Sequence, residues 1–79
     1  MSTRNVDTVL DTVGMACPGP LMALIGAIRQ SEIDATIEVR SSDLGSKTDI
    51  PAWVAKAGHE LVEVAQMEGY VRFVIRKAR

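Results

Sequence analysis

The sequence holds one cysteine, one histidine and one each of Trp, Tyr and Phe, and each scarcity removes a class of function. A single cysteine cannot close an intrachain disulfide. With a single histidine beside it, no Cys/His cluster can build a closed zinc site, so neither a metal nor another cofactor is expected. Charge of one sign is lacking too: nine Lys and Arg against ten Asp and Glu leave a net charge of −1. A nucleic-acid surface normally needs a basic excess to neutralise phosphates, so direct nucleic-acid binding is not expected. No apolar run is long enough to span a bilayer, which argues against a membrane partner. Met1 to Val6 contain one Arg and no run of signal-peptide length, so the expected location is cytoplasmic, where thiols stay reduced. Repeats, low-complexity stretches and linkers are absent as well.

What is present suits one small domain over residues 1–79, with 47% hydrophobic and 24% charged residues. A chain of this length buries only about 60% of the surface its unfolded form exposes, enough for a single modest core.

Asp7 to Val13 read as a first strand, with β-branched Thr8, Val9, Thr12 and Val13 around Leu10, closed by Gly14. From Pro18 to Gln30, Leu21, Leu24, Ile25 and Ile28 fall at i, i+3, i+4 and i+7, the spacing of one helix face. Met22, Ala23, Gly26 and Ala27 make the other sides of that helix unusually apolar, which suits either a partner or close packing. Ala35 to Ser41 alternate, Ile37 and Val39 to one side and Glu38 and Arg40 to the other. Ile50, Trp53, Val54 and Ala57 give a second helix from about Lys47 or Thr48 to a stop at Gly58; a cap at Thr48 would place Pro51 in the tolerated first turn. Trp53 on its apolar stripe is expected in the core. Glu60 to Gln66 and Tyr70 to Lys77 form a hairpin across Met67-Glu68-Gly69. The expected fold is α+β, a two-layer α/β sandwich of order βαβαββ, with two helices on one face of a mixed four-stranded sheet. Val71, Phe73 and Ile75 should face the helices, leaving Tyr70, Arg72, Val74 and Arg76 on an open face.

The lone cysteine stands in Cys17-Pro18-Gly19-Pro20, directly before the first helix. Proline disfavours helical angles in the residue before it, so Cys17 is expected extended at the cap, with Pro18 opening the helix and Pro20 in its first turn. N–H donors would remain at Gly19 and Leu21. A helix N-terminus stabilises a thiolate, which makes Cys17 a candidate nucleophile with a pKa below the usual value of about 8.5. A dithiol redox role fails for want of a second cysteine, since proline stands where Cys-x-x-Cys would place it. A hydrolase would need a base, and His59 lies at the far end of the second helix. What remains is a thiol that carries a group from one protein to the next, with Pro18 and Pro20 fixing the cap, Gly19 giving close backbone access and Gly14 permitting the turn leading in. Arg72, Arg76 and Lys77, gathered near the end of the chain, could form a docking patch. Asp43 and Asp49 suit a turn and a helix start.

The run Asp11-Thr-Val-Gly14-Met-Ala-Cys17-Pro18-Gly19-Pro20, the apolar helix after it, and later Asp43 and Asp49-Ile50-Pro51 resemble the TusA-like (SirA-like) family of small sulfur-carrier proteins over nearly the whole chain. The resemblance implies the two-layer fold and a persulfide on Cys17, relayed to an acceptor in a carrier role rather than a stand-alone turnover role. It implies protein partners: a sulfur donor, either a cysteine desulfurase or a rhodanese-like protein, and a sulfur acceptor. tRNA thiolation, sulfur oxidation and cofactor sulfuration all stay open, because Ile25 and Gly26 stand where some members have basic residues, and Ala16 where some have arginine. The rival reading is a non-catalytic regulatory or RNA/protein-interaction module using the open sheet face.

Overall fold

The computed structural model describes residues 6–16 and 18–79; Cys17, and with it the extended cap expected there, lies outside the described residues. Six elements follow in the order β1 (Thr8–Asp11), α1 (Gly19–Gln30), β2 (Thr36–Ser41), α2 (Ser46–Ala57), β3 (Glu60–Met67) and β4 (Tyr70–Arg76). The strands form one mixed sheet in the order β1-β2-β4-β3. β1 runs parallel to β2 with Asp11 beside Arg40, while β4 is antiparallel to both β2 and β3. A parallel β1/β2 pair requires a crossover, and α1 supplies it.

Both helices turn their apolar stripes to the same sheet face. Leu24 and Ile28 of α1, Ile50 and Val54 of α2, Ile37 and Val39 of β2, and Val71, Phe73 and Ile75 of β4 make one buried cluster. Leu21 and Trp53 pack against it, half-buried, as their helical spacing predicts. The two-layer α+β sandwich is therefore the observed fold.

Local boundaries differ from the sequence reading where tertiary bonds take over. β1 ends at Asp11 because residues 12–15 close a turn. Pro18 holds the N-cap of α1 rather than its first helical position, and its carbonyl accepts the first helical bond from the Met22 N–H at 2.8 Å. The α2 helix starts at Ser46, earlier than a Thr48 cap would allow. Its first turn is tight, with N–H groups of Ser46, Lys47 and Thr48 donating three residues back, and neither Ser46 nor Thr48 caps it by a side chain. Ser46 is instead buried and accepts a 2.9 Å bond from the Ser41 hydroxyl. Pro51 consequently lies inside the helix; the carbonyl it deprives belongs to exposed Lys47, where water can serve it. At the other end Gly58 takes a left-handed conformation (φ 84°), and His59 N–H reaches Val54 O at 3.0 Å, a Schellman stop. The hairpin loop is only Glu68-Gly69, since Met67 pairs with Tyr70.

The sheet face away from the helices is not bare. Glu38, buried at 4% exposure, accepts from Arg40 Nε at 2.6 Å and Arg72 Nε at 2.9 Å, and Arg72 Nη1 donates to Glu63 at 2.9 Å. Val74, paired with Glu38 across the strands, is fully buried. Burial alone would raise the Glu38 pKa, but the hydrogen bonds and charges of Arg40 and Arg72 outweigh it and hold the carboxyl below its usual range.

Candidate functional site

The loop from β1 to α1 leaves the sheet at a fixed point. Thr12, 2% exposed, directs both its N–H (2.9 Å) and its hydroxyl to the carbonyl of Arg40, the last paired residue opposite β1. The chain then folds back, with Met15 N–H donating to Thr12 O at 3.0 Å and Val13 N–H to Asp11 Oδ1 at 3.2 Å. Gly14 makes this turn possible with φ 92°, an angle that costs an L side chain strain. A Cβ on Gly14 would meet nothing within 4 Å, so the requirement for glycine there is purely conformational. Its N–H donates to Ser42 Oγ at 2.9 Å, tying the loop to the segment after β2.

A second turn follows, closed by Gly19 N–H to Ala16 O at 2.8 Å. The sole cysteine is thus one of the two residues that the Gly19–Ala16 bond spans in the sequence, directly after the turn of residues 12–15. The Gly19 donor that the motif offered to a thiolate is spent on Ala16. Gly19 also faces Met15: a Cβ there would come within 3.3 Å of Met15 Cβ and Sδ, so the space over the glycine is covered by that side chain. Pro20 is buried, which anchors the start of α1 in the core. The first turn of α1 holds no acidic side chain, so no carboxylate competes for the positive end of its dipole.

Apolar side chains rim this end of the sheet. Val13, Met15 and Met22 are about half exposed, at 47%, 50% and 59%, and Leu44 beyond Ser42 reaches 76%. Large solvent-facing apolar groups around one loop mark a surface suited to contact with another protein.

The basic residues do not join this rim. Arg76 pairs with Thr36 and Glu60 at the opposite end of the strands, where it donates to Glu60 Oε1 at 2.7 Å and to Asp34. Lys77 donates to Ser31 O at 2.6 Å and so caps the C-terminus of α1. Arg72 lies nearer the loop's end of the sheet but on the helix-free face, held by Glu38 and Glu63. His59 stands at the same far end as Arg76, its Nδ1 accepting from Ala78 N–H at 3.1 Å.

Thr12 reads in the sequence only as a β-branched residue of the first strand and a member of the motif run, and neither it nor Ser42 is given a part in the site there. The parallel β1/β2 pairing could have found them, because the register that sets Asp11 beside Arg40 carries on to bring the segments after both strands together.

The family description Sulfurtransferase TusA matches residues 8–77, from the start of β1 to just beyond β4. This chain belongs to the TusA family. A protein of Archaeoglobus fulgidus whose name gives it a sulfur-carrier role is 52% identical over 71 residues, covering 90% of this chain and 97% of that one. Sulfur carrier protein TusA of Pseudomonas aeruginosa is 36% identical over 75 residues, 95% of each chain. The crystal structure of a SirA-like protein from Desulfitobacterium hafniense superposes with a TM-score of 0.80 at 18% identity, covering 91% of this chain and 99% of its own. That likeness supports the two-layer α+β fold.

Proposed function

We propose that this chain is a sulfur carrier in which Cys17 accepts sulfane sulfur as a persulfide and relays it to a protein acceptor. The observation that carries the reading is the loop itself: the only cysteine falls in the span closed by the Gly19–Ala16 bond, just after the turn of residues 12–15 and ahead of a helix whose first turn lacks acid. The names of the relatives point the same way. In the loading step the Cys17 thiolate attacks the terminal sulfur of a donor persulfide. The donor S–S bond breaks, an S–S bond to Cys17 forms, and the donor cysteine leaves as thiolate, with no net oxidation. The acceptor's thiolate repeats the exchange on Cys17. Nothing else in the chain completes the chemistry, since no second cysteine exists and His59 lies at the other end of the sheet.

The partners are then a donor protein, of cysteine desulfurase or rhodanese type, and an acceptor protein, both meeting the apolar rim of Val13, Met15, Met22 and Leu44. Arg72, Arg76 and Lys77 keep a lesser part in docking, because a partner reaching them must compete with Glu38, Glu60 or the Ser31 carbonyl. A reducing cytoplasm would preserve the free thiol between rounds; among the described residues no helix is long and apolar enough to cross a membrane. Cyanide tests the relay, because it strips sulfane sulfur as thiocyanate. Chain loaded by a persulfide donor and freed of it should release thiocyanate in stoichiometric amount, and Cys17→Ser none. Equal release from Cys17→Ser would refute the assignment.

A further inference from the structure

We propose that Ser42 is a positioning residue for the Cys17 loop, an inference that rests on the carrier reading above. The loop is held firmly at both ends. Thr12 is locked to the Arg40 carbonyl by two bonds, and beyond the cysteine Pro20 is buried in the core. Between these anchors the turn bonds of residues 13–16 are internal: Val13 N–H to Asp11, Met15 N–H to Thr12, and Gly19 N–H to Ala16. Among these described loop residues, Gly14 N–H to Ser42 Oγ at 2.9 Å is the one hydrogen bond that reaches a separate part of the chain.

That bond fixes the tilt of the first turn against the segment following β2. The tilt matters because Gly14 is the residue with the left-handed backbone (φ 92°), so a small rotation there swings the following residues towards or away from an incoming sulfur. Misplacement of a reacting atom by about 1 Å can cost as much as about a hundredfold in rate. The bond itself is solvent-exposed, so it adds little to global stability; its effect falls on the loop. Ser42 touches neither donor nor acceptor sulfur in this scheme. It acts through Gly14.

The test compares Ser42→Ala, which deletes the acceptor oxygen, with Ser42→Thr, which keeps it. Three quantities are read on the full chain: hydrogen exchange at the Gly14 amide, the pH dependence of Cys17 alkylation by iodoacetamide, and the second-order rate of sulfur loading from a low-molecular-weight persulfide. In Ser42→Ala, Gly14 exchange should accelerate about three- to tenfold, in line with one hydrogen bond, and loading should slow by a similar factor. The alkylation profile should shift away from the wild-type one. The denaturation midpoint should stay at the wild-type value, and Ser42→Thr should restore all three readouts. Wild-type loading and alkylation in Ser42→Ala would overturn the proposal, as would losses matched by a lower denaturation midpoint. If even the wild-type chain takes up no sulfur, the carrier reading fails, and the exchange and alkylation arms still decide whether Ser42 governs the loop.

Discussion

Thr12 and Arg40 lie 28 residues apart in sequence, yet the Arg40 carbonyl receives both the hydroxyl and the N–H of Thr12. That pair of hydrogen bonds to one oxygen marks where β1 stops being a strand and the cysteine loop begins. The loop is therefore launched from the sheet rather than hung from the helix, and its geometry depends on the β1/β2 register as much as on the two prolines of the motif.

Gly14→Ala separates backbone strain from crowding. The space around the missing Cβ is empty, so the substitution pays only for holding an L residue at φ 92°, a loss of about 1–2 kcal/mol in unfolding free energy. Urea denaturation followed by Trp53 fluorescence measures it. A loss within about 0.3 kcal/mol of zero would mean that the turn relaxes without resistance.

Glu38 answers to pH and to mutation in linked ways. Its folded pKa is lowered from 4.5, so the stability it confers is present above that value and lost as pH falls through the lower folded value. Glu38→Ala leaves Arg72 facing only Glu63. The expected cost is about 2–3 kcal/mol, less than for a fully enclosed pair, because Arg40 has 38% of its side chain exposed and can turn to water. Denaturation curves between pH 3 and pH 7 should show part of the acid loss vanish in Glu38→Gln. An unchanged acid limb would assign that loss to other carboxylates.

His59 responds with the same sign at higher pH. Burial, then the positive charges of Lys77 and Arg79, hold its pKa below the ordinary 6.5, and its Nδ1 is occupied as an acceptor for Ala78 N–H. Protonation would set a second donor against that N–H. The unfolded chain therefore binds the proton first: stability is full above 6.5 and declines as pH falls from there through the folded value. Trp53, whose ring centroid lies 5.7 Å from that of His59, is the only tryptophan and gives a direct signal. Its fluorescence should titrate with a midpoint below 6.5 and lose that titration in His59→Asn, which offers a neutral acceptor. A midpoint above 6.5 would show that the imidazole is stabilised as a cation instead.

Much of the fold was legible because burial and periodicity coincide. Ile37 and Val39 alternate with Glu38 and Arg40 along β2, Val71, Phe73 and Ile75 occupy one face of β4, and Gly58 stops α2. The fates of polar groups were not legible, since each depends on a partner distant in sequence. Ser46 could not announce that Ser41 would claim its hydroxyl and leave Pro51 inside the helix. Arg72, Arg76 and Lys77 read as a basic patch along the chain, but each is already spent on an acceptor from elsewhere. At the site, Cys17 with its prolines stood out by residue type alone. The Gly19 donor bonded to Ala16 and the Ser42 tether to Gly14 became visible only in three dimensions.

The most direct measurement is the intact mass of the chain after incubation with a persulfide donor and removal of excess reagent. Sulfur carriage on Cys17 requires a gain of one sulfur atom that dithiothreitol reverses and that Cys17→Ser does not acquire. An unchanged mass with donors that load other thiols, or the same gain in Cys17→Ser, would end the case for Cys17 as the carrier residue.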